Sequence, residues 1–166
     1  MDKLYQDQIL ELASLCKEHH FNECASFLSS CNNPICGDRV DVSLEVYQDR
    51  IKNIGLKILG CAICEAGAGL MIKQLTGITP NCARKKTKEL KQWVKREGNI
   101  SPDTEMLKFT PLLEIKNRHK CFLLPFEAAV LALDNNQAYS KWLNKHDDKG
   151  IKELFRSDRN LTENPE

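Results

Sequence analysis

Residues 40 to 46, Val-Asp-Val-Ser-Leu-Glu-Val, alternate apolar and polar without a break. A period of two is the repeat of a β-strand, and it puts Val40, Val42, Leu44 and Val46 on one face. Tyr47-Gln48-Asp49-Arg50 then reads as a turn. Residues 51 to 59 alternate again, with Ile54, Leu56 and Ile58 against polar or small partners. So short a link joins two such runs only as an antiparallel hairpin. Residues 24 to 30 add an edge strand ahead of the turn Asn32-Asn33-Pro34. The expected fold class is therefore α+β: a small antiparallel three-stranded sheet packed on one side by helices.

The helices have their own signatures. Residues 2 to 18 carry Leu4, Ile9, Leu10, Leu12, Ala13 and Leu15 among charged residues, an amphipathic pattern that His19-His20 and Asn22 end. Residues 62 to 75 are small and apolar, with Ala66-Gly67-Ala68-Gly69 in the middle. Each glycine weakens a helix by about 1 kcal/mol relative to alanine, so close packing must offset them. Gly77 and Pro80 break the chain before a charged helix over 82 to 97. Its basic run Arg84-Lys85-Lys86 with Lys88 reads as a solvated face, and Trp93 as core. Residues 98 to 111 are irregular. A further helix is expected over 125 to 135, with Pro125 in its first turn, and a short one over 138 to 145. The expected organisation is one domain over residues 1–146 and a charged C-terminal tail over 147–166.

Net charge and hydropathy exclude several classes. A formal charge of +1 gives no general attraction to nucleic acid or to an acidic membrane. No apolar stretch is long enough to span a bilayer, and Met1-Asp2-Lys3-Leu4 opens a charged run rather than a secretory leader. A cytoplasmic protein with neither nucleic acid nor membrane among its partners is expected.

Eight cysteines, at 16, 24, 31, 36, 61, 64, 82 and 121, are many for a reducing compartment. There such a set signals metal, redox or nucleophile chemistry more than structural staples. Three of them sit at the ends of elements: Cys36 in the turn before a strand, Cys61 where a strand hands over to a helix, Cys121 just ahead of another helix. Cys36 and Asp38 are two apart, so an extended backbone aims both the same way. A helix N-terminus favours thiolate over thiol, and zinc takes four tetrahedral ligands from Cys, His and Asp. Cys36, Asp38, Cys61 and Cys121 could therefore complete a site. Cys61-Ala62-Ile63-Cys64 is itself a Cys-x-x-Cys, so Cys64 is an extra candidate ligand, although a small buried residue is the first reading of it and a resolving thiol another. A closed set of Cys36, Cys61, Cys64 and Cys121, holding structural zinc or an iron–sulfur cluster, is equally open on spacing alone. Cys16, Cys24, Cys31 and Cys82 read as packing or incidental thiols. His19 and His20 read as an exposed helix end.

Three stretches together, Asn32-Asn33-Pro34-Ile35-Cys36-Gly37-Asp38-Arg39-Val40, then Gly60-Cys61-Ala62-Ile63-Cys64 running into the small-residue helix, then Arg118-His119-Lys120-Cys121, resemble the three cysteine motifs of the U-type iron–sulfur assembly proteins. These are IscU, SufU and the NifU N-terminal domain. The resemblance runs from about Leu4 to Leu133. Cys36 and Cys61 are 25 positions apart and Cys61 and Cys121 are 60 apart. The long second interval, filled by roughly 82 to 111, is similar to the insertion of the SufU branch. Arg118 matches the SufU arginine three residues before the last cysteine. Lys120 stands where IscU has a histidine, and His119 lies one position out of that register. Serines of the family are replaced by Cys64, Gly67 and Gly69, and a tryptophan by Phe126.

That resemblance implies a zinc site of Cys36, Asp38, Cys61 and Cys121. It also implies a sulfurtransferase that accepts persulfide sulfur at Cys36 from a PLP-dependent cysteine desulfurase of the SufS kind, with Arg118 supporting. Sulfur would pass on to a downstream cluster scaffold or to apo iron–sulfur proteins. Two alternatives stay open: an IscU-like scaffold assembling a 2Fe–2S cluster on the same ligands, or a non-catalytic module that binds the desulfurase.

Overall fold

The computed structural model of the chain describes residues 3–145. The chain divides into two units at Asn135, and the first holds the sheet, the core and every candidate site residue. The expected tail over 147–166 lies outside the described residues. No helix among the described residues is long and apolar enough to cross a membrane.

Three strands form one antiparallel sheet in the order β1 (Phe27–Asn33), β2 (Asp38–Tyr47) and β3 (Arg50–Leu59). The edge strand starts and ends three residues later than its composition suggests, because Asn32 and Asn33 still pair with Arg39 and Asp38. Between β2 and β3, Gln48 and Asp49 both take positive φ, at 49° and 56°. That pair is the backbone of a two-residue hairpin turn whose twist matches the flanking strands. A register shift between Glu45 and Val46 absorbs one extra residue at this end of the sheet.

Val40, Val42 and Leu44 stand on the covered face opposite Ile58, Leu56 and Ile54. Helix α1 (Lys3–Ser14) is followed by a 3-10 turn over Leu15–Glu18. His19 and His20 are not a free helix end. The His19 carbonyl accepts the Leu56 N–H at 2.7 Å, its ring Nδ1 meets the Ile54 carbonyl at 2.8 Å, and His20 bridges Leu56 in parallel. The segment thus docks on the open edge of β3, where unpaired backbone groups would otherwise stand exposed.

Helix α2 (Ala62–Leu75) is the centre of the packing, with Ala66 through Ile72 all buried. Its glycines answer to close approach. A Cβ on Gly69 would run into the Leu12 carbonyl of α1, and one on Gly67 into the Phe122 carbonyl. Helix α3 (Pro80–Lys95) buries Leu90, Trp93 and Val94 and starts at a Thr79 cap. A short α4 (Thr104–Leu107) and a 3-10 turn over Thr110–Glu114 follow.

Helix α5 (His119–Lys145) begins six residues earlier than the proline suggests and runs without a break through the expected short helix over 138 to 145. Pro125 lies inside it and offers no N–H to the Cys121 carbonyl one turn back. Unbroken burial from Cys121 to Phe126 holds the turn in place despite that loss. Side-chain bonds tie α5 to its neighbours. Ser29 Oγ of β1 donates to the Ala128 carbonyl at 2.6 Å, and Lys91 of α3 pairs with Glu127 at 2.8 Å.

The α1–α2 contact yields a direct test. Gly69→Ala gains helix propensity but forces two backbones apart, and overpacking of this kind costs about 1–3 kcal/mol. Urea denaturation should show a lower midpoint for the variant. An unchanged or raised midpoint would mean that α1 and α2 do not approach as closely as described.

Candidate metal centre

One end of the sheet gathers the candidate residues. Asn33 and Asp38 pair across β1 and β2, so residues 34–37 form the tip of a hairpin with Cys36 on it. Gly37 sits at φ 73°, a conformation that side chains disfavour, and its N–H donates to the Asn33 carbonyl at 2.8 Å. Cys36 and Asp38 converge because the chain turns between them, not because it is extended there. On the other side of β2, Arg39 pairs with Leu59. The next residues outward are Asp38 and Gly60, which bring Cys61 alongside the carboxylate.

The Cys36 thiol, an Asp38 carboxylate oxygen and the Cys121 thiol all lie within 4.8 Å of one another. Cys61 is the N-cap of α2. Its N–H donates to Asp38 Oδ1 at 3.2 Å, and its thiol lies 4.0 Å from Asp38 Oδ2. Asp38 therefore stands in direct relation to all three cysteines. Burial grades the set: Cys36 is exposed, Cys61 half-buried, Asp38 4% and Cys121 0% exposed. Cys121 lies within the first turn of α5 rather than ahead of the helix. Cys64 is fully buried and is not one of the three clustered groups.

Arg118 reaches the sulfurs. Its Nη1 lies 4.0 Å from Cys36 Sγ. A hydrogen bond to Cys121, then the charges of Cys61, Cys121 and Cys36, raise the guanidinium's pKa and hold its proton more firmly. Burial, followed by hydrogen bonds to Asp38 and Cys36, pushes the Cys121 thiol well above the ordinary range. Burial and the neighbouring Asp38, Cys61, Cys121 and Cys16 do the same to Cys64. His119 turns away, its Nε2 meeting the Leu112 carbonyl at 3.0 Å.

Asn33 is a positioning residue that composition does not reveal, since Asn before Pro reads only as a turn. It is 1% exposed, its amide donates to Cys121 Sγ at 3.4 Å, and its Oδ1 accepts the Ile35 N–H at 3.3 Å. One side chain thus couples the hairpin tip to α5. The bystander thiols separate cleanly. Cys24 and Cys82 are exposed, Cys31 packs half-buried on the core, and Cys16 donates to the Glu65 carbonyl at 3.3 Å.

Cys16 supports a pH test outside the candidate ligands. Burial first, and Glu65 second, push its thiol up to about 11. A thiol raised above its unfolded value near 9 leaves stability intact below that pH. Above it the unfolded chain releases the proton first, so stability falls as pH climbs from 9 to 11. Cys16→Ala should make the urea midpoint fall less steeply across that window. Identical slopes for variant and wild type would rule out this environment for Cys16.

Comparisons with known proteins follow the same outline. Residues 4–107 match the family model of the NifU-like N terminal domain, a span that contains Cys36, Asp38 and Cys61 and stops short of Cys121. The chain is 25% identical over 138 residues to the iron–sulfur cluster assembly scaffold protein IscU of Thermotoga maritima, covering 78% of this chain and 92% of that protein. A crystal structure of a putative iron–sulfur cluster assembly scaffold protein for the SUF system from Fervidobacterium islandicum superposes with a TM-score of 0.70. It is 28% identical and covers 78% of this chain and 96% of its own. The N-terminal NifU-like protein of Brucella abortus, 20% identical, shares the fold with a TM-score of 0.71 over 81% of this chain and 95% of its own. The hairpin-tip cysteine, the carboxylate two residues on and the helix-capping cysteine thus stand in the span and the fold that define one group, and the chain belongs to the NifU-like N-terminal domain family.

Proposed function

We propose that this protein takes part in iron–sulfur cluster assembly as a zinc-dependent sulfur acceptor of the SufU kind. The observation that carries the reading is the convergence of exposed Cys36, buried Asp38 and buried Cys121 within 4.8 Å, with Cys61 against the same carboxylate. Three thiols and one carboxylate suit zinc, a borderline ion that takes four ligands of these types. Cys36, Asp38, Cys61 and Cys121 would hold it. Once bound, it would keep the thiols deprotonated at neutral pH.

The rest of the chemistry belongs to the chain. Cys36 is the exposed cysteine of the set, at the tip of a hairpin, and so the one a partner's persulfide can reach. Its thiolate attacks the outer sulfur of a cysteine desulfurase persulfide. The sulfur–sulfur bond breaks, its electron pair leaves on the desulfurase thiolate, and Cys36 carries the persulfide. Arg118, at 4.0 Å, balances the negative charge that persists through the exchange. Asp38 is a harder donor than sulfur, which leaves this set more open to exchange than four cysteines would be. The desulfurase, a PLP enzyme, and a recipient scaffold or apo iron–sulfur protein are the partners this role requires.

A second reading has its own support. The Thermotoga and Fervidobacterium relatives are both described as cluster assembly scaffolds. On that reading the same residues build a 2Fe–2S cluster as cargo and hand it on. Metal and acid-labile sulfide analysis of anaerobically purified protein separates the two. One equivalent of zinc without visible absorbance supports the acceptor, and a brown protein with iron and sulfide supports the scaffold. Asp38→Ala should weaken zinc binding by more than about tenfold, since loss of even an outer-shell partner costs that much. Cys36→Ala should abolish transfer of labelled sulfur from a desulfurase. If the variant still accepts sulfur and still stimulates the enzyme, the acceptor role of Cys36 is excluded.

A further inference from the structure

Cys64 is buried at the rim of the candidate centre yet stands outside its cluster of three. Its surroundings give it another use. Cys61 is the N-cap of α2 and Cys64 the third residue of the helix, so the two belong to one turn. The Glu65 N–H closes that turn on the Cys61 carbonyl at 3.1 Å. Residues three apart on a helix are neighbours, and disulfides bridge Cα pairs about 4.4–6.8 Å apart.

Both thiols also flank one carboxylate. The Cys61 side chain caps no helix N–H, and its sulfur lies 4.0 Å from Asp38 Oδ2. A Cβ on Gly60 would sit 3.1 Å from Cys64 Sγ and 3.4 Å from Asp38 Oδ1. The Cys64 sulfur therefore points back over the start of the helix, toward the carboxylate that Cys61 faces. Gly60 itself adds no side chain at the point where the Cys64 sulfur and the Asp38 carboxylate crowd in. Half-exposed Cys61 is open to small oxidants, whereas buried Cys64 is open only to Cys61 and its neighbours.

We propose that Cys61 and Cys64 form a reversible disulfide, a redox modification site whose closure withdraws Cys61 from the candidate metal ligands. The oxidant is hydrogen peroxide. The Cys61 sulfur attacks one peroxide oxygen, the O–O bond breaks, and a sulfenic acid and one water result. The Cys64 sulfur then attacks Cys61. The S–O bond breaks, and the departing hydroxide takes the Cys64 proton as a second water. Two thiols have given up two electrons, and one peroxide has become two waters. A dithiol reductant reverses the bond by exchange. A Cys36–Cys121 bridge would instead have to join a hairpin tip to a separate helix. The Cys61–Cys64 bridge stays within one turn.

The effect on metal rests on the zinc reading given above, and the bond itself does not. The full chain is treated with one equivalent of hydrogen peroxide, its free thiols are blocked with N-ethylmaleimide in denaturant so that buried Cys64 is reached too, and the protein is mapped by peptide mass spectrometry. The expected result is loss of two blocking groups at Cys61 and Cys64 and their return after dithiothreitol. Zinc release into a chromogenic chelator should accompany the bond, and should be at least tenfold slower in Cys64→Ala at the same dose. Cys64→Ser serves as the second variant, and the wild-type map needs no variant at all. A bond mapped to Cys36–Cys121 or Cys36–Cys61, no bond at all, or equal zinc loss in wild type and variants overturns the proposal. A protein purified without metal would defeat the zinc reading, and the peptide map would still decide the disulfide.

Discussion

The position of β3 against β2 is the constraint on which the rest depends. Arg39 pairs with Leu59, so the carboxylate of Asp38 meets the chain at Gly60 and accepts the Cys61 N–H. A slip of one residue would turn every core side chain of the strand outward, so burial of Val40, Val42 and Leu44 enforces the register. The apolar face that drives folding thereby fixes where the polar end residues sit. Asp38 then has a double role: it satisfies the start of α2 and offers its second oxygen to the thiols.

The second constraint is the thinness of α2. With no side chain at Gly67, the backbone of α5 comes into contact at Phe122, one residue past Cys121. With none at Gly69, α1 comes as close on another face. Bulkier residues here would push α5 outward and carry Cys121 away from Cys36 and Asp38. The helix that reads as merely small and apolar is what brings a cysteine 85 positions downstream of Cys36 into the cluster.

The hairpin, the extent of α2 and the three cysteines at element ends were legible because each leaves a local mark: a period of two, a small-residue run, a turn or break beside a thiol. The course of 115 to 125 was not. Pro125 reads as a helix start, but α5 begins at His119 because the buried run from Cys121 to Phe126 outweighs one lost hydrogen bond. The pairing of His19 with β3 was hidden for a similar reason, since its bond to the Leu56 N–H is made by backbone that any residue could supply. Asn33 looked like turn chemistry alone, yet its side chain spans from the hairpin tip to Cys121.

By itself, the sequence determined which chemistry is available: alternation that demands a sheet, thiols at the ends of elements, an acid two residues past one of them, and the motif order of a family. These are properties of neighbours along the chain. Only the tertiary structure decided which groups share a point in space. It joined Cys36, Asp38 and Cys121, set Arg118 over the sulfurs and turned Cys64 toward Gly60, because those distances are fixed by strand register and helix approach. Such quantities belong to the packed core and are written in no local stretch.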